Sequence, residues 1–379
     1  MDWLKSGRAS EANRLISQLS DLGRREPATR DLIRLGAEAV PALLEALQSP
    51  DPGLLSAVRQ ILGRIGSRGT QYFIHALTTS HPLIRVQVAG LLGEIREASS
   101  VPALLDALTG EYYTVRAAAA SALGQLGDGR AVEPLLAAIK DREPQVRSAA
   151  AAALGAFNHP DTIDGLANLL LDDSQIEVRQ AAARSMGGSS SPEALSYLME
   201  ALRDSFWWYE RENAAVDLLN AIERIGSAAV TPLIEALQDD EGTVRRFAAR
   251  LLGQLHDARA VEPLGMTLYD LHHDVGSAAA EALSHFGAAG LEVLIEALGH
   301  PEAAIREHAI HGLSAIKDDR VLPFLIQMLE DPERLIRKRS LEAVIRLHDP
   351  RAVSVLQEIA ADRSDREFST LAKQALREM

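Results

Sequence analysis

Val101–Gly127 reads VPALLDALTGEYYTVRAAAASALGQLG, and this stretch decides the fold. Each half places apolar residues at i, i+3, i+4 and i+7, the spacing of one helical face, and a short polar turn separates the halves. Pro102 opens the first half, where its missing N–H costs nothing, and Gly127 closes the second. The pattern is a pair of helices joined by a tight turn.

The same unit recurs along the chain: VPALLEALQSPDP from Val40, VEPLLAAIKDREP from Val132, VTPLIEALQDDEG from Val230, LEVLIEALGHPEA from Leu291 and VLPFLIQMLEDPE from Val321, each followed by a second apolar stretch. Registered on the last large apolar residue of the first helix, the units fall at Leu47, Leu77, Leu108, Ile139, Leu170, Leu202, Leu237, Leu268, Leu298, Leu329 and Ile359. No stretch shows sustained strand-like alternation, so the spacing predicts an all-α chain. Prolines at 41, 102, 134, 232, 263 and 323 open first helices, and Gly36, Gly66, Gly127, Gly226 and Gly287 close second ones. Inner glycines at 63, 93, 124, 155, 187 and 253, beside runs of alanine, are read as points where neighbouring helices approach closely. A helix pair this small cannot bury its apolar faces alone, so each unit must stack on the next.

The Pro-Leu-Leu opening and the Val-Arg-x-x-Ala-Ala-x-Ala-Leu-Gly second helix, plainest at Val115–Gly127, resemble HEAT-repeat proteins of the phycobilisome-lyase-like repeat subtype, over nearly the whole chain. The resemblance implies a right-handed α-α superhelix, a HEAT-like solenoid of about twelve helix pairs. We expect one continuous domain over 1–379, with a divergent N-terminal cap at 1–36 where Trp3 is placed to cover the first core face, repeats at 37–360 and a capping helix at 361–379.

Composition narrows the function. Forty-seven per cent hydrophobic residues supply a core, and only 4% aromatics fits helices packed through Ala and Leu. No cysteine is present, which excludes disulfides, thiolate nucleophiles and cysteine-ligated metals. No apolar run approaches the roughly 20 residues of a membrane span, and the amino terminus lacks the basic-then-apolar order of a secretory signal. We therefore expect a cytoplasmic protein, most simply a bacterial one, with no membrane contact. A net charge of −14 argues against a nucleic-acid partner, because phosphate neutralisation needs a dominant basic surface.

Seven arginines open second helices: Arg85, Arg116, Arg147, Arg179, Arg245, Arg306 and Arg337. They could form a phosphate track, but the resemblance implies a structural ladder in which each pairs with acidic residues or carbonyls of the preceding turn. Asp51, Asp141, Asp173, Asp240 and Asp331 stand in such turns, and the ladder breaks at Leu55, Ala215 and Gly276.

The resemblance implies that function sits on a concave face formed by the second helices. Three positions one turn apart in each, from Val86, Gly90 and Glu94 to Gln180, Arg184 and Gly188, line that face largely with small side chains in the early and middle units. The later units carry charged residues there, beginning with Arg246, Arg250 and Gln254. The longest step between units, from Leu202 to Leu237, contains Phe206, Trp207, Trp208 and Tyr209. These rings read either as an interface anchor or as a plug filling a stacking defect.

The sequence reading is thus a non-catalytic protein–protein interaction scaffold, binding a protein or peptide through Phe206, Trp207, Trp208, Tyr209, Arg184, Arg246, Arg250 and Gln254, with no cofactor. The alternative is an enzyme or enzyme subunit resembling bilin lyases or HEAT-repeat metal-dependent hydroxylases. The repeated His-Glu pairs of deoxyhypusine hydroxylase are missing here, and His285 with His311, near Glu281 and Glu307, is the one weak metal candidate. Alkylpurine DNA glycosylases of HEAT-like build need a basic cleft, which the acidic balance opposes.

Overall fold

The computed structural model describes residues 7–157, 159–189, 191–204, 207, 215–362 and 364–379. Among them every regular element is a helix. The chain divides into two compact units, Met1–Ala221 and Ile222–Met379.

In the first unit the helices follow as α1 (Gly7–Ser17), α2 (Leu22–Leu35), α3 (Val40–Ala46), α4 (Pro52–Ile65), α5 (Thr70–Thr79), α6 (Pro82–Glu94), α7 (Val101–Leu108), α8 (Tyr113–Leu126), α9 (Val132–Ala138), α10 (Pro144–Leu154), α11 (Pro160–Asp172), α12 (Ile176–Met186) and α13 (Pro192–Arg203). α14 (Ala215–Ile225) carries the chain across the boundary. The second unit continues with α15 (Val230–Ala236), α16 (Gly242–Leu255), α17 (Val261–Thr267), α18 (His273–Leu283), α19 (Gly287–Ala297), α20 (Ala303–Leu313), α21 (Val321–Gln327), α22 (Arg334–Leu347), α23 (Val353–Ala361) and α24 (Arg366–Glu378). Each unit is a solenoid of two helical layers. In the first, the odd helices α1 to α13 pack on one another in order and the even helices α2 to α12 form the second layer; in the second, α16, α18, α20, α22 and α24 stack likewise.

The punctuation read from the sequence holds. Gly36, Gly66, Gly127, Gly226 and Gly287 all lie at positive φ, between 57° and 74°, where a side chain would be strained. Arg96, His256 and His348 also lie at positive φ, the two histidines in the left-handed conformation that Gly127 takes. The core is aliphatic and small: Leu43, Leu104, Leu135 and Leu198 are fully buried, each contributing about 1.5–3 kcal/mol, and Ala119, Ala120, Ala150 and Ala151 let the second helices close up between them. A Cβ on Gly124 would lie 2.7 Å from Ala153 Cα, so the expected close approach is real there; Gly63 has nothing nearer than 4.0 Å and does not serve it.

Two local details depart from the sequence pattern. α2 begins at Leu22, ahead of Pro27, because the Asp21 carboxylate accepts the Gly23 N–H and caps the helix early. The stretch His273–Ala297 reaches the length and apolarity of a membrane span. It is two helices, broken by the 3₁₀ turn Ser284–Phe286 and by Gly287, with Val275, Ala279, Leu283, Leu291 and Leu294 buried in the unit.

Candidate functional site: an open helix face and the clasps behind it

The open face comes from helical periodicity. Positions one turn apart in α6, α8, α10, α12, α16, α18, α20 and α22 are all exposed or half-exposed, from Val86, Gly90 and Glu94 to Lys338, Glu342 and Arg346, while the residues between them face the layer beneath. Arg246, Arg250 and Gln254 share this face of α16. The Arg246 guanidinium sits 5.1 Å from the Phe247 ring centroid. Arg250 is exposed, with no ion-pair or hydrogen-bond partner among the described residues. In the first unit Arg184 is paired with Asp217 at 2.9 Å.

Trp207 corrects one expectation. It is 0% exposed, so its ring belongs to the interior and cannot be an anchor on the surface. Its backbone N–H reaches the Asp204 carbonyl, and its indole N–H is buried with no acceptor among the described residues. Phe206, Trp208, Tyr209 and Trp3 lie outside the described residues.

Behind the open face run the clasps. Arg306 Nε and Nη2 bond the two carboxylate oxygens of Asp331 at 2.7 and 2.9 Å, while Nη1 takes the carbonyls of His300 and Pro301. Arg116 with Asp141, Arg147 with Asp173 and Arg245 with Asp270 repeat this geometry, and Arg179 reaches Asp204 at 2.6 Å. Each of these arginines gathers backbone oxygen from its own preceding turn and a carboxylate from the turn of the next repeat. The ladder is therefore structural, but the sequence reading placed the carboxylates one repeat too early. Of its five candidates, Asp141, Asp173 and Asp331 serve. Asp51 instead caps α4 through the Gly53 N–H, and Asp240 offers Arg245 only its carbonyl. Asp204 and Asp270 went unread, as did Arg25, whose Nε takes the Leu19 carbonyl in the same way. Among the described residues Arg85 and Arg337 hold carbonyls alone.

Burial by itself would raise the carboxyls of Asp141, Asp173, Asp270 and Asp331. The arginine bond, the backbone N–H two residues on and the guanidinium charge outweigh it, and all four are held below the usual carboxylate range.

The histidines group differently from expectation. His285 stacks on His256 with centroids 5.6 Å apart, and its Nδ1 faces the Gly253 carbonyl. His311 instead borders a cavity of about 220 Å³ between α18, α20 and α22, with His273, Ser277, Ser314 and Arg346. Arg339 spans Glu307 and Glu342 at its side. Among the described residues no three His, Asp or Glu side chains converge as a metal-ligand set.

Stacked helix pairs closed by inter-repeat clasps define the class: an α-solenoid. Residues 70–143, 132–220, 230–290 and 291–377 match the family described as HEAT repeats, which takes in more than half the sequence, and the chain belongs to that family. No curated protein sequence is similar to it. Among solved structures it resembles Kap121p bound to Ste12p, with a TM-score of 0.59, 12% identity and coverage of 100% of this chain and 51% of that one. It likewise resembles the karyopherin Kap121p bound to the extreme C-terminus of the protein phosphatase Cdc14p, at 0.59, 13%, 100% and 52%. Kap95p with RanGDP gives 0.55, 12%, 98% and 60%. The chain spans about half the length of these proteins, and at such identities the likeness is one of fold.

Proposed function

We propose that this protein is a non-catalytic scaffold that holds a protein or peptide segment along the open face of its second helices. The observation that carries this reading is the contrast on α16. Arg245 is saturated by Asp270 and two carbonyls, whereas its neighbour Arg246 and, one turn on, Arg250 lie on the open face with no carboxylate partner among the described residues, in a chain where acids outnumber bases. Unpaired arginine on a rigid helical face is a hot-spot residue for protein contacts. Solenoids of the same fold are seen bound to Ste12p and to a segment of Cdc14p, which supports a protein partner.

Arg184 in the first unit and Gln254 in the second are further candidate contacts, with Phe206, Trp208 and Tyr209 as candidates read from the sequence alone. The phycobilisome-lyase-like form of the repeat, a cytoplasmic location, and a partner that is neither nucleic acid nor membrane complete the reading. The acidic balance supports the exclusion of nucleic acid.

The test is cross-linking mass spectrometry on complexes captured with the native chain, an Arg246→Glu/Arg250→Glu variant and an Arg377→Glu control on the last helix. Cross-links on the even helices, lost in the double variant and kept in the control, are expected. Cross-links confined to the odd helices, or binding indifferent to the double variant, would overturn the proposal.

A further inference from the structure

One joint of the second unit is built without an arginine clasp. Position 276, where the ladder calls for arginine, is glycine, and the ring of His308 from the next repeat fills the space. A Cβ on Gly276 would lie 2.2 Å from His308 Cε1 and 2.4 Å from Nδ1. His308 is 2% exposed. Its Nδ1 lies 3.1 Å from the Leu268 carbonyl oxygen, and its Nε2 lies 3.0 Å from Nδ1 of His273. A carbonyl can only accept, so Nδ1 of His308 carries the proton and donates it; Nε2 is then an acceptor for the Nδ1–H of His273. Both ring nitrogens are used, and the arrangement is complete with both imidazoles neutral.

We propose that the His273–His308 pair makes the joint between the α17–α18 and α19–α20 repeats a proton-released joint, which loosens in mildly acidic solution while the arginine–aspartate joints stay closed.

The geometry gives the reason. A proton added to His308 turns Nε2 into a donor, so that it faces the Nδ1–H of His273 across 3.0 Å and the bond is lost unless His273 moves its own proton to Nε2. The cavity bordered by Ser277, His311 and Ser314 offers the ring room to turn toward water. The surrounding charges act in both directions. Burial pushes the His308 imidazole down from its ordinary range, the Leu268 carbonyl opposes that, His273 on α18 and His311 on α20 add to it, and Glu307 opposes it. On α22, Arg339 occupies Glu307 and Glu342, and Arg346 bonds Ser314, so no free carboxylate from that helix rescues a charged ring. The sign follows from the lowered value. Above the ordinary imidazole range of about 6.5 the ring is neutral in both the closed and the opened joint. Below it the opened joint binds a proton that the closed one refuses, so closure weakens as pH falls toward the depressed value.

The experiment is hydrogen exchange on the full-length chain, read by mass spectrometry between pH 7.5 and 5.0 and corrected for intrinsic exchange, with imidazole C2–H exchange reporting each histidine. Protection across Val275–Leu283 and Ile305–Leu313 should fall by up to about tenfold per pH unit below about 6.5, while the Arg116–Asp141 joint stays level. His308→Asn, whose amide N–H takes the place of Nδ1 and does not titrate, should abolish the step, and His311→Gln should keep it. If His308→Asn fails to fold, the native chain still decides: a His308 ring that titrates with the exposed histidines would overturn the proposal. So would protection at this joint that tracks the arginine joints.

Discussion

The Arg306 guanidinium lies 2.7 and 2.9 Å from the two carboxylate oxygens of Asp331, and the two residues belong to successive repeats. Their side chains are 8% and 3% exposed, so a charge pair sits almost dry in the joint. Asp331 also accepts the Glu333 N–H, and Arg306 gathers two carbonyls, which leaves few polar atoms of the clasp without a partner. Such satisfaction is what makes burial of the pair tolerable. A solenoid repeat touches only its neighbours, so each clasp fixes the register of one joint.

Breaking one half of this clasp should be costly. Arg306→Met leaves the Asp331 carboxylate buried without its bonded cation, and a loss of about 3–5 kcal/mol is expected. Arg306→Met combined with Asp331→Asn should recover part of it. Urea unfolding of both variants measures the difference, and equal losses would show that the charge pair is not the source of the coupling.

Acid should act on the clasps only at low pH. The aspartates at 141, 173, 270 and 331 are held below the carboxylate range in the folded chain, so the stability they contribute is complete above about pH 4 and is lost as pH falls through their depressed values. The urea midpoint should therefore show no pH dependence from them between pH 8 and 5 and should drop below pH 4. An Asp331→Asn variant should lose part of that lower drop.

The architecture was legible because the period repeats many times. A helical face and a closing glycine are local signals, and all five glycines singled out took positive φ. The clasp was half legible. Arg116, Arg147 and Arg306 announce themselves in the second-helix motif, but their carboxylates lie 25 or 26 residues on, where every turn holds several acids and only the stacking of repeats selects one. The His308 joint left a faint trace that needed two positions read together: a glycine where other repeats have arginine, and a histidine where Ala118, Ala149 and Ala181 stand in others. Trp207 illustrates the opposite limit. Aromatic clustering is the same signal for an exposed anchor and for a buried plug, and burial alone separates them.

Two glycine substitutions should have opposite signs. Gly124→Ala would place a methyl 2.7 Å from both Cα and Cβ of Ala153, neither of which can swing away, and should cost about 1–3 kcal/mol by overpacking α8 against α10. Gly63→Ala, inside α4 with 4.0 Å of clearance, removes backbone entropy from the unfolded chain and should stabilise by about 0.5–1 kcal/mol. Thermal denaturation of the pair checks both, and two losses of similar size would mean that the α4 face is packed more tightly than its geometry.

His348 offers a gain of another kind. It ends α22 at φ 48° and ψ 34°, the left-handed conformation that Gly127 takes at the end of α8, and its side chain is exposed. An L residue pays a steric penalty there that glycine avoids, partly offset by the greater freedom of glycine in the unfolded chain. His348→Gly should therefore stabilise by about 0.5–1 kcal/mol, read as a higher urea midpoint at pH 7.5. The same change at His256, also left-handed at φ 53°, should gain less, because that ring stacks on His285 and the contact would be lost with it. If His256→Gly gained as much as His348→Gly, the stack would contribute nothing to the fold.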